Sequence, residues 1–129
     1  MSGNRCLLDT NIVVAILNQE PSLANHLTGI TVYLSAIVLG ELYFGAHKSA
    51  RITDNLARIE TFVAQYPVLD CSKTTASHYG QIKQKLAVKG RPIPENDIWI
   101  SALAVQYGLT LVTRDDHFKQ VDGLLLETW

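Results

Sequence analysis

Short apolar runs alternate along this chain with longer segments whose apolar residues recur at helical spacing, and this alternation constrains the fold more than any other feature. Five runs have the length of buried strands: residues 6–8, 32–34, 68–69, 109–112 and 124–126. Strands separated by helices pair in parallel, because the chain must cross back before it can start the next strand. The sequence therefore predicts an α/β fold with a parallel sheet.

The longer segments carry the signals of amphipathic or buried helices. Residues 51–65 place four apolar side chains at helical spacing, which predicts an amphipathic helix. Residues 72–89 repeat the pattern, and Gly90 supplies a stop. Residues 96–107 are apolar almost all round, so this helix should be buried, with Asn96 as its expected N-cap.

The composition indicates a single folded domain over residues 1–129. Hydrophobic residues make up 47% of the chain and charged residues 18%, as in a compact folded protein. The net charge of −1 provides no general basic field, so affinity for a nucleic acid would have to come from a local patch or a bound metal. No apolar run is long enough to cross a membrane and no signal pattern precedes the first one, so we expect a cytoplasmic protein without membrane contact.

Acidic side chains follow two of the predicted strands directly. Asp9 comes after the first run, and Asp115 and Asp116 come after the fourth. Ligand groups of parallel α/β sheets lie beyond the carboxyl ends of the strands, which is where these residues stand. Two simpler interpretations stay open at this point: Asp9 could cap the next helix, and the Asp115-Asp116 pair could form a polar turn.

Two more acids occupy unusual helical positions. In a helix that starts near Ser35, Glu41 has apolar neighbours one turn away, so its carboxylate needs a compensating partner unless it points into solvent. Asp97 opens the buried helix, where the helix dipole alone would stabilise an acid. Ser101 lies one turn further on the same face and Asn96 stands beside it, which favours a polar pocket.

A reversal of the order in which strands are added to the sheet would bring these acids together. If the first three strands wind one way and the chain then returns to the other side of strand one, right-handed crossovers place Asp9 and Asp115 side by side, with Glu41 and Asp97 at the rim. Ionised carboxylates so close repel one another, so either some of them are protonated or a divalent cation lies among them, and the cation is the better explanation. A ligand set made only of oxygen selects Mg²⁺ or Mn²⁺, and such ions assist phosphodiester hydrolysis.

Four sequence blocks resemble those of the PIN-domain nucleases, specifically the VapC-type toxins of bacterial toxin–antitoxin pairs. The blocks are LLDTNIVV with Asp9, LSAIVLGELYFGA with Glu41, GRPIPENDIWISALA with Asp97, and LTLVTRDDHFKQVDGLLLETW with Asp115. They occur in the family's order and spacing. Together they cover nearly the whole chain, as a single PIN-like domain.

The resemblance implies a three-layer α/β/α sandwich with five parallel strands and a metal-dependent endoribonuclease. By that analogy Asp9, Glu41, Asp97 and Asp115 are both the catalytic residues and the ligands of Mg²⁺ or Mn²⁺, although Asp116 could replace or assist Asp115. Five further positions resemble those that orient the acids, the water or the phosphate: Thr10, Asn11, Ser35, Asn96 and Thr113. The resemblance also implies an RNA substrate, a cognate VapB-type antitoxin that obstructs the site, and a toxin homodimer.

Other residues and functions remain as alternatives. Arg114 could clamp a phosphate or be an exposed turn charge. His117 adjoins the site but lacks ligand spacing with the other histidines, which argues against zinc. A phosphoryl-accepting receiver module would also use an acidic crevice and Mg²⁺, but no lysine follows a late strand to contact a phosphoryl group. A binding domain without catalysis is the third possibility.

Overall fold

A computed structural model describes residues 4–129 and shows strands and helices in alternation. The strands of the described part are β1 (Arg5–Leu8), β2 (Thr31–Ser35), β3 (Val68–Leu69), β4 (Thr110–Val112) and β5 (Leu126–Glu127). The α-helices are α1 (Thr10–Leu17), α2 (Leu23–Leu27), α3 (Ala36–His47), α4 (Ile52–Val63), α5 (Lys73–Lys89) and α6 (Glu95–Tyr107), and a 3₁₀ helix covers Asp116–Gln120. Residues 1–3 of the predicted domain lie outside the described residues.

The five strands form one parallel sheet in the order β3-β2-β1-β4-β5. Leu7 of β1 lies in register with Tyr33 of β2 and with Leu111 of β4. The α/β fold, the parallel sheet and the reversal beside strand one are therefore confirmed. Because parallel crossovers are right-handed, that reversal places α1–α4 on one face of the sheet and α5 and α6 on the other, as in a three-layer sandwich.

The central strand is buried on both faces, which explains why its sequence is a continuous apolar run. Leu7 and Leu8 are 0% exposed, and they belong to the main core cluster with Leu103 and Phe118. A smaller cluster includes Ile82 of α5 and Ile98 of α6. Among residues 4–129 no helix has the length and hydropathy that a membrane crossing requires.

Helix caps anchor the ends of the helices that border the carboxyl edge of the sheet. Asp9 is the N-cap of α1, and Ser35 caps α3 by accepting a 3.0 Å hydrogen bond from the backbone N–H of Val38. Because each cap follows its strand directly, α1 and α3 both start at the edge where β1 and β2 end. Gly90 ends α5 with a left-handed backbone, φ 65°, as the sequence predicted.

Two sequence predictions about element ends were wrong. Asn96 does not cap α6, because the helix already starts at Glu95 and Pro94 occupies the cap position with an extended backbone, ψ 146°. The fifth strand is also shifted from residues 124–126 to Leu126–Glu127, where it pairs with the buried strand β4. Both errors concern boundaries, which depend on backbone pairing and proline geometry more than on hydropathy.

Candidate active site

The four predicted acids line one open groove of about 500 Å³ at the carboxyl edge of the sheet. Asp9 comes from the end of β1, Glu41 from α3, Asp97 from the first turn of α6, and Asp115 from the loop after β4. The strand order explains the convergence, since β1 and β4 are neighbours in the sheet. The roles of these four residues in catalysis stay a prediction at this stage.

Asp9 is the most deeply buried of the four acids, with 5% of its surface exposed. Its Oδ1 accepts a 2.8 Å hydrogen bond from the backbone N–H of Thr10, and its Oδ2 accepts a 2.7 Å bond from the hydroxyl of Thr113. Burial raises the pKa of Asp9, with smaller raising effects from Glu41 and Asp115, while the two hydrogen bonds oppose the rise. Asp9 therefore does cap α1 and still faces the groove.

Glu41 is half-buried, and a neighbouring hydroxyl stabilises its carboxylate. The Thr10 hydroxyl donates a 2.7 Å hydrogen bond to Oε1 of Glu41. Thr10 thus connects two acids, because its backbone N–H serves Asp9 and its side chain serves Glu41. The start of α1 consequently holds the carboxylates of Asp9 and Glu41 on one side of the groove.

Asp97 has a strongly raised pKa. Its side chain is 14% exposed, and burial raises its pKa to about 6, with Asp9 and Asp115 adding to the rise. A contact with His117 opposes this shift. Ser101, which the sequence suggested as part of the polar pocket, bonds to the backbone of Asp97. Its hydroxyl donates to the backbone carbonyl of Asp97, at 2.8 Å.

The structure distinguishes the two adjacent aspartates after β4. Asp115 lines the groove, and its backbone N–H donates a 3.0 Å hydrogen bond to the Thr113 hydroxyl. Asp116 is 86% exposed at its side chain and pairs with Lys119 at 3.0 Å. Asp115 is therefore the acid of this pair that shares the groove with Asp9.

His117 lies beside two of the acids, and the sequence analysis gave it no role. Its Nδ1 is 3.0 Å from Oδ1 of Asp115 and 3.3 Å from Oδ2 of Asp97. The spacing between histidines, which argued against zinc, says nothing about contacts between His117 and the acids. The sequence feature that could have indicated this contact is the position of His117 two residues after Asp115. A turn at that point brings the histidine back toward the Asp115 carboxylate.

Arg114 is already engaged by a carboxylate in this structure. Its guanidinium donates two hydrogen bonds to Glu20, at 2.9 and 3.2 Å, and its Nε donates to the backbone carbonyl of Trp129 at 3.0 Å. The backbone N–H of Arg114 donates to Oδ1 of Asn11 at 3.3 Å. Arg114, which the sequence left as either a phosphate clamp or an exposed turn charge, thus borders the groove, and Glu20 accepts hydrogen bonds from its guanidinium.

Asn96, another predicted supporting residue, is exposed and lines a separate shallow pocket with Glu41.

The donor set of this groove fits a hard divalent cation. Each carboxylate oxygen has two lone pairs, so the hydrogen bonds to Asp9 and Glu41 leave acceptor capacity directed at a ligand. Donor atoms of Asp97, Asp115 and His117 lie within 4.8 Å of one another. Four acids line this groove, and the pKa values of Asp9 and Asp97 are raised in part by neighbouring acids, so a bound cation would offset the negative charge there.

Comparison with known proteins gives consistent matches over nearly the whole chain. A sequence model described as PIN domain matches residues 6–124. The protein "Ribonuclease VapC2" of Haemophilus influenzae is 39% identical over 128 residues, which cover 95% of this chain and 96% of that one. The protein "tRNA(fMet)-specific endonuclease VapC" of Shigella flexneri is 37% identical over 127 residues, with coverage of 95% and 96%.

Two solved structures share this fold over nearly the whole chain. A crystal structure of VapBC2 from Rickettsia felis, bound to a DNA fragment from their promoter, superposes with a TM-score of 0.91 at 34% identity and covers 97% of this chain and 98% of that one. DNA-bound VapBC from Salmonella typhimurium gives a TM-score of 0.88 at 35% identity, also with coverage of 97% and 98%. Both likenesses cover nearly the whole of this chain.

Proposed function

Because this chain belongs to the PIN domain family and matches VapC ribonucleases along its length, we propose that it is a Mg²⁺- or Mn²⁺-dependent endoribonuclease and the toxin of a toxin–antitoxin pair. The observation that carries the proposal is the convergence of four carboxylates in one groove. Acids from four distant parts of the chain gather at the edge where α/β proteins bind ligands. The receiver-module alternative gives no role to Glu41, whereas a cation site does.

In this proposal Asp9, Glu41, Asp97 and Asp115 hold the metal ion and are the catalytic residues. When bound, a divalent cation would lower the pKa of water and offset the charge that develops on the phosphate during hydrolysis. The chain supplies the orientation: Thr113 and the backbone N–H of residue 10 hold Asp9, and the Thr10 hydroxyl holds Glu41. Fixed carboxylates need no rearrangement before the substrate binds.

The open shape of the groove suits a phosphodiester strand rather than an enclosed small molecule. The name of the Shigella flexneri relative specifies tRNA(fMet), so initiator tRNA is our first substrate to test. One related solved structure, 28% identical with a TM-score of 0.76, belongs to the VapBC family of toxin–antitoxin systems. By the same reasoning we propose a VapB-type antitoxin that covers this groove, a homodimeric toxin, and action in the cytoplasm, where its RNA substrate is found.

The decisive experiment incubates the purified full chain with initiator tRNA and with total RNA, in the presence of Mg²⁺, Mn²⁺ or EDTA. We expect internal cleavage with either ion, no cleavage with EDTA, and loss of at least about a hundredfold in rate for Asp9→Asn. Asp116→Asn is the matched control, because it removes a neighbouring but solvent-directed carboxylate. Cleavage that survives both EDTA and Asp9→Asn would contradict the metal-dependent mechanism.

The same preparations distinguish the two other functions. A receiver module would incorporate phosphate from a small phosphodonor at an aspartate, and we expect no incorporation. A binding domain without catalysis would retain RNA intact in Mn²⁺. RNA ends that appear with wild type and Asp116→Asn but not with Asp9→Asn support the nuclease, because they assign the cleavage to this groove and not to a contaminating enzyme.

A further inference from the structure

We propose that His117 is a nitrogen ligand of the metal ion, so that the site selects first-row transition metals such as Mn²⁺ over Mg²⁺. This inference rests on the proposed function, since it adds a ligand to the same acidic groove. The observation that carries it is a three-residue cluster of mixed chemistry, Asp97, Asp115 and His117, with ligand atoms that lie within 4.8 Å of one another. A cluster made only of acids would give no reason for this metal preference.

The local backbone directs the imidazole to the acids. Asp115 caps the 3₁₀ helix Asp116–Gln120, and its Oδ1 accepts a 3.0 Å hydrogen bond from the backbone N–H of His117. Phe118, the next residue, is 0% exposed and anchors this turn in the main core. The position of the His117 backbone is therefore determined by a cap on one side and by a buried ring on the other.

The distances fit neighbouring ligands of one ion. The Nδ1 atom of His117 lies 3.0 Å from Oδ1 of Asp115 and 3.3 Å from Oδ2 of Asp97. With metal–ligand bonds of about 2.1 Å, adjacent ligands at right angles lie about 3 Å apart. The neutral imidazole has a lone pair at one ring nitrogen, and Nδ1 is the atom that faces both carboxyl groups. The His117 side chain is 52% exposed, so an ion can reach it from the solvent.

Ligand chemistry gives the expected selectivity. Mg²⁺ takes oxygen ligands almost exclusively and keeps several waters, whereas imidazole is a common ligand of first-row transition metals. Replacement of the imidazole should therefore weaken Mn²⁺ binding much more than Mg²⁺ binding. If His117 only forms hydrogen bonds with the two acids, its replacement by asparagine should not weaken Mn²⁺ binding more than Mg²⁺ binding, since the asparagine amide can replace those bonds.

The test measures Mn²⁺ on the full chain by electron paramagnetic resonance, with electron spin echo envelope modulation to detect a coordinated ¹⁴N nucleus. We expect ¹⁴N modulation in the wild type and its loss in His117→Asn, whose amide still forms hydrogen bonds. The Kd for Mn²⁺ should rise about tenfold in His117→Asn, and the Kd for Mg²⁺, measured by competition, should change by less than about threefold. His47→Asn, at an exposed histidine that ends α3, should behave as the wild type.

The outcomes separate this inference from the proposed function. Bound Mn²⁺ without ¹⁴N modulation in the wild type, or modulation that persists in His117→Asn, would overturn the assignment of His117 and leave the nuclease proposal in place. Modulation that is lost in His117→Asn supports the assignment even if wild-type protein cleaves no RNA, a result that would overturn only the nuclease proposal. A wild-type chain that binds no Mn²⁺ overturns the ligand assignment.

Discussion

The Thr113 hydroxyl donates a 2.7 Å hydrogen bond to Oδ2 of Asp9 across a sequence separation of 104 residues. Thr113 follows β4 and Asp9 follows β1, so this bond joins the carboxyl ends of two neighbouring strands. The same hydroxyl accepts a 3.0 Å bond from the backbone N–H of Asp115. One threonine thus orients one acid and the backbone of another.

Thr113→Val should destabilise the protein by about 1 to 3 kcal/mol, because it keeps the shape of the side chain but leaves buried polar groups without their partner. The free energy of unfolding from urea denaturation measures the effect. Thr61→Val is the matched control, since the Thr61 hydroxyl is exposed and donates to the Ala57 carbonyl of its own helix. Equal decreases in the free energy of unfolding for the two variants would contradict a stabilising role of the bond between Thr113 and Asp9.

Thr10→Val should separate the support of Glu41 from that of Asp9. The hydroxyl that bonds to Glu41 is lost, while the backbone N–H that bonds to Asp9 remains. We expect Mn²⁺ affinity and RNA cleavage to fall about tenfold, in the range found when residues behind metal ligands are removed. Thr10→Ser restores the hydroxyl and should restore both quantities to within about twofold. Failure of serine to restore them would assign the loss to packing.

The raised pKa of Asp97 predicts a pH dependence of stability in the metal-free protein. Its pKa is about 6 in the folded state against an ordinary value of 3.8, so the folded state binds the proton more tightly than the unfolded chain does. The free energy of unfolding in EDTA should therefore decrease as pH rises from about 4 through 6. Asp97→Asn cannot ionise, and we expect it to be more stable than wild type at pH 8 by about 1 to 2 kcal/mol.

Thermal or urea unfolding in EDTA between pH 4 and 8 measures this dependence, with Asp116→Asn as the control at an exposed acid. The wild-type curve should slope downward with pH, and the Asp97→Asn curve should be flatter over the same window. Burial also raises the pKa of Asp9, so Asp9 contributes to the decrease of stability with pH in both proteins. A steeper decrease of stability with pH in Asp97→Asn than in wild type would show that folding lowers the pKa of Asp97, which would contradict the prediction.

Ser35→Ala should cost about 1 kcal/mol of stability through loss of the α3 cap. Ser35 is 0% exposed, and its hydroxyl accepts the Val38 N–H at 3.0 Å. Ser22→Ala is a matched control, because Ser22 occupies the cap position of α2 without a side-chain cap hydrogen bond. Urea denaturation should separate the two variants, and a cost for Ser22→Ala as large as for Ser35→Ala would contradict the cap assignment.

Much of the fold follows from local patterns that the sequence displays. Continuous apolar runs predicted buried parallel strands, and Gly90 marked a helix end, because both signals act over a few residues. Element ends were less predictable, as the proline cap of α6 illustrates. The pattern of apolar residues does not show which backbone N–H groups bond to a neighbouring strand. The sequence therefore predicted the fifth strand at residues 124–126, whereas the strand that pairs with β4 is Leu126–Glu127.

The sequence by itself determined the chemistry of the groove: four carboxylates placed after strands or on apolar helices, where an acid needs compensation. Only the tertiary structure decided which side chains meet, since Thr10 joins Asp9 and Glu41 while Glu20 engages Arg114. It also turned Asp116 toward solvent and brought His117 to Asp97. The physical reason is that burial and hydropathy act along each element, whereas a hydrogen bond between distant residues depends on how the elements pack.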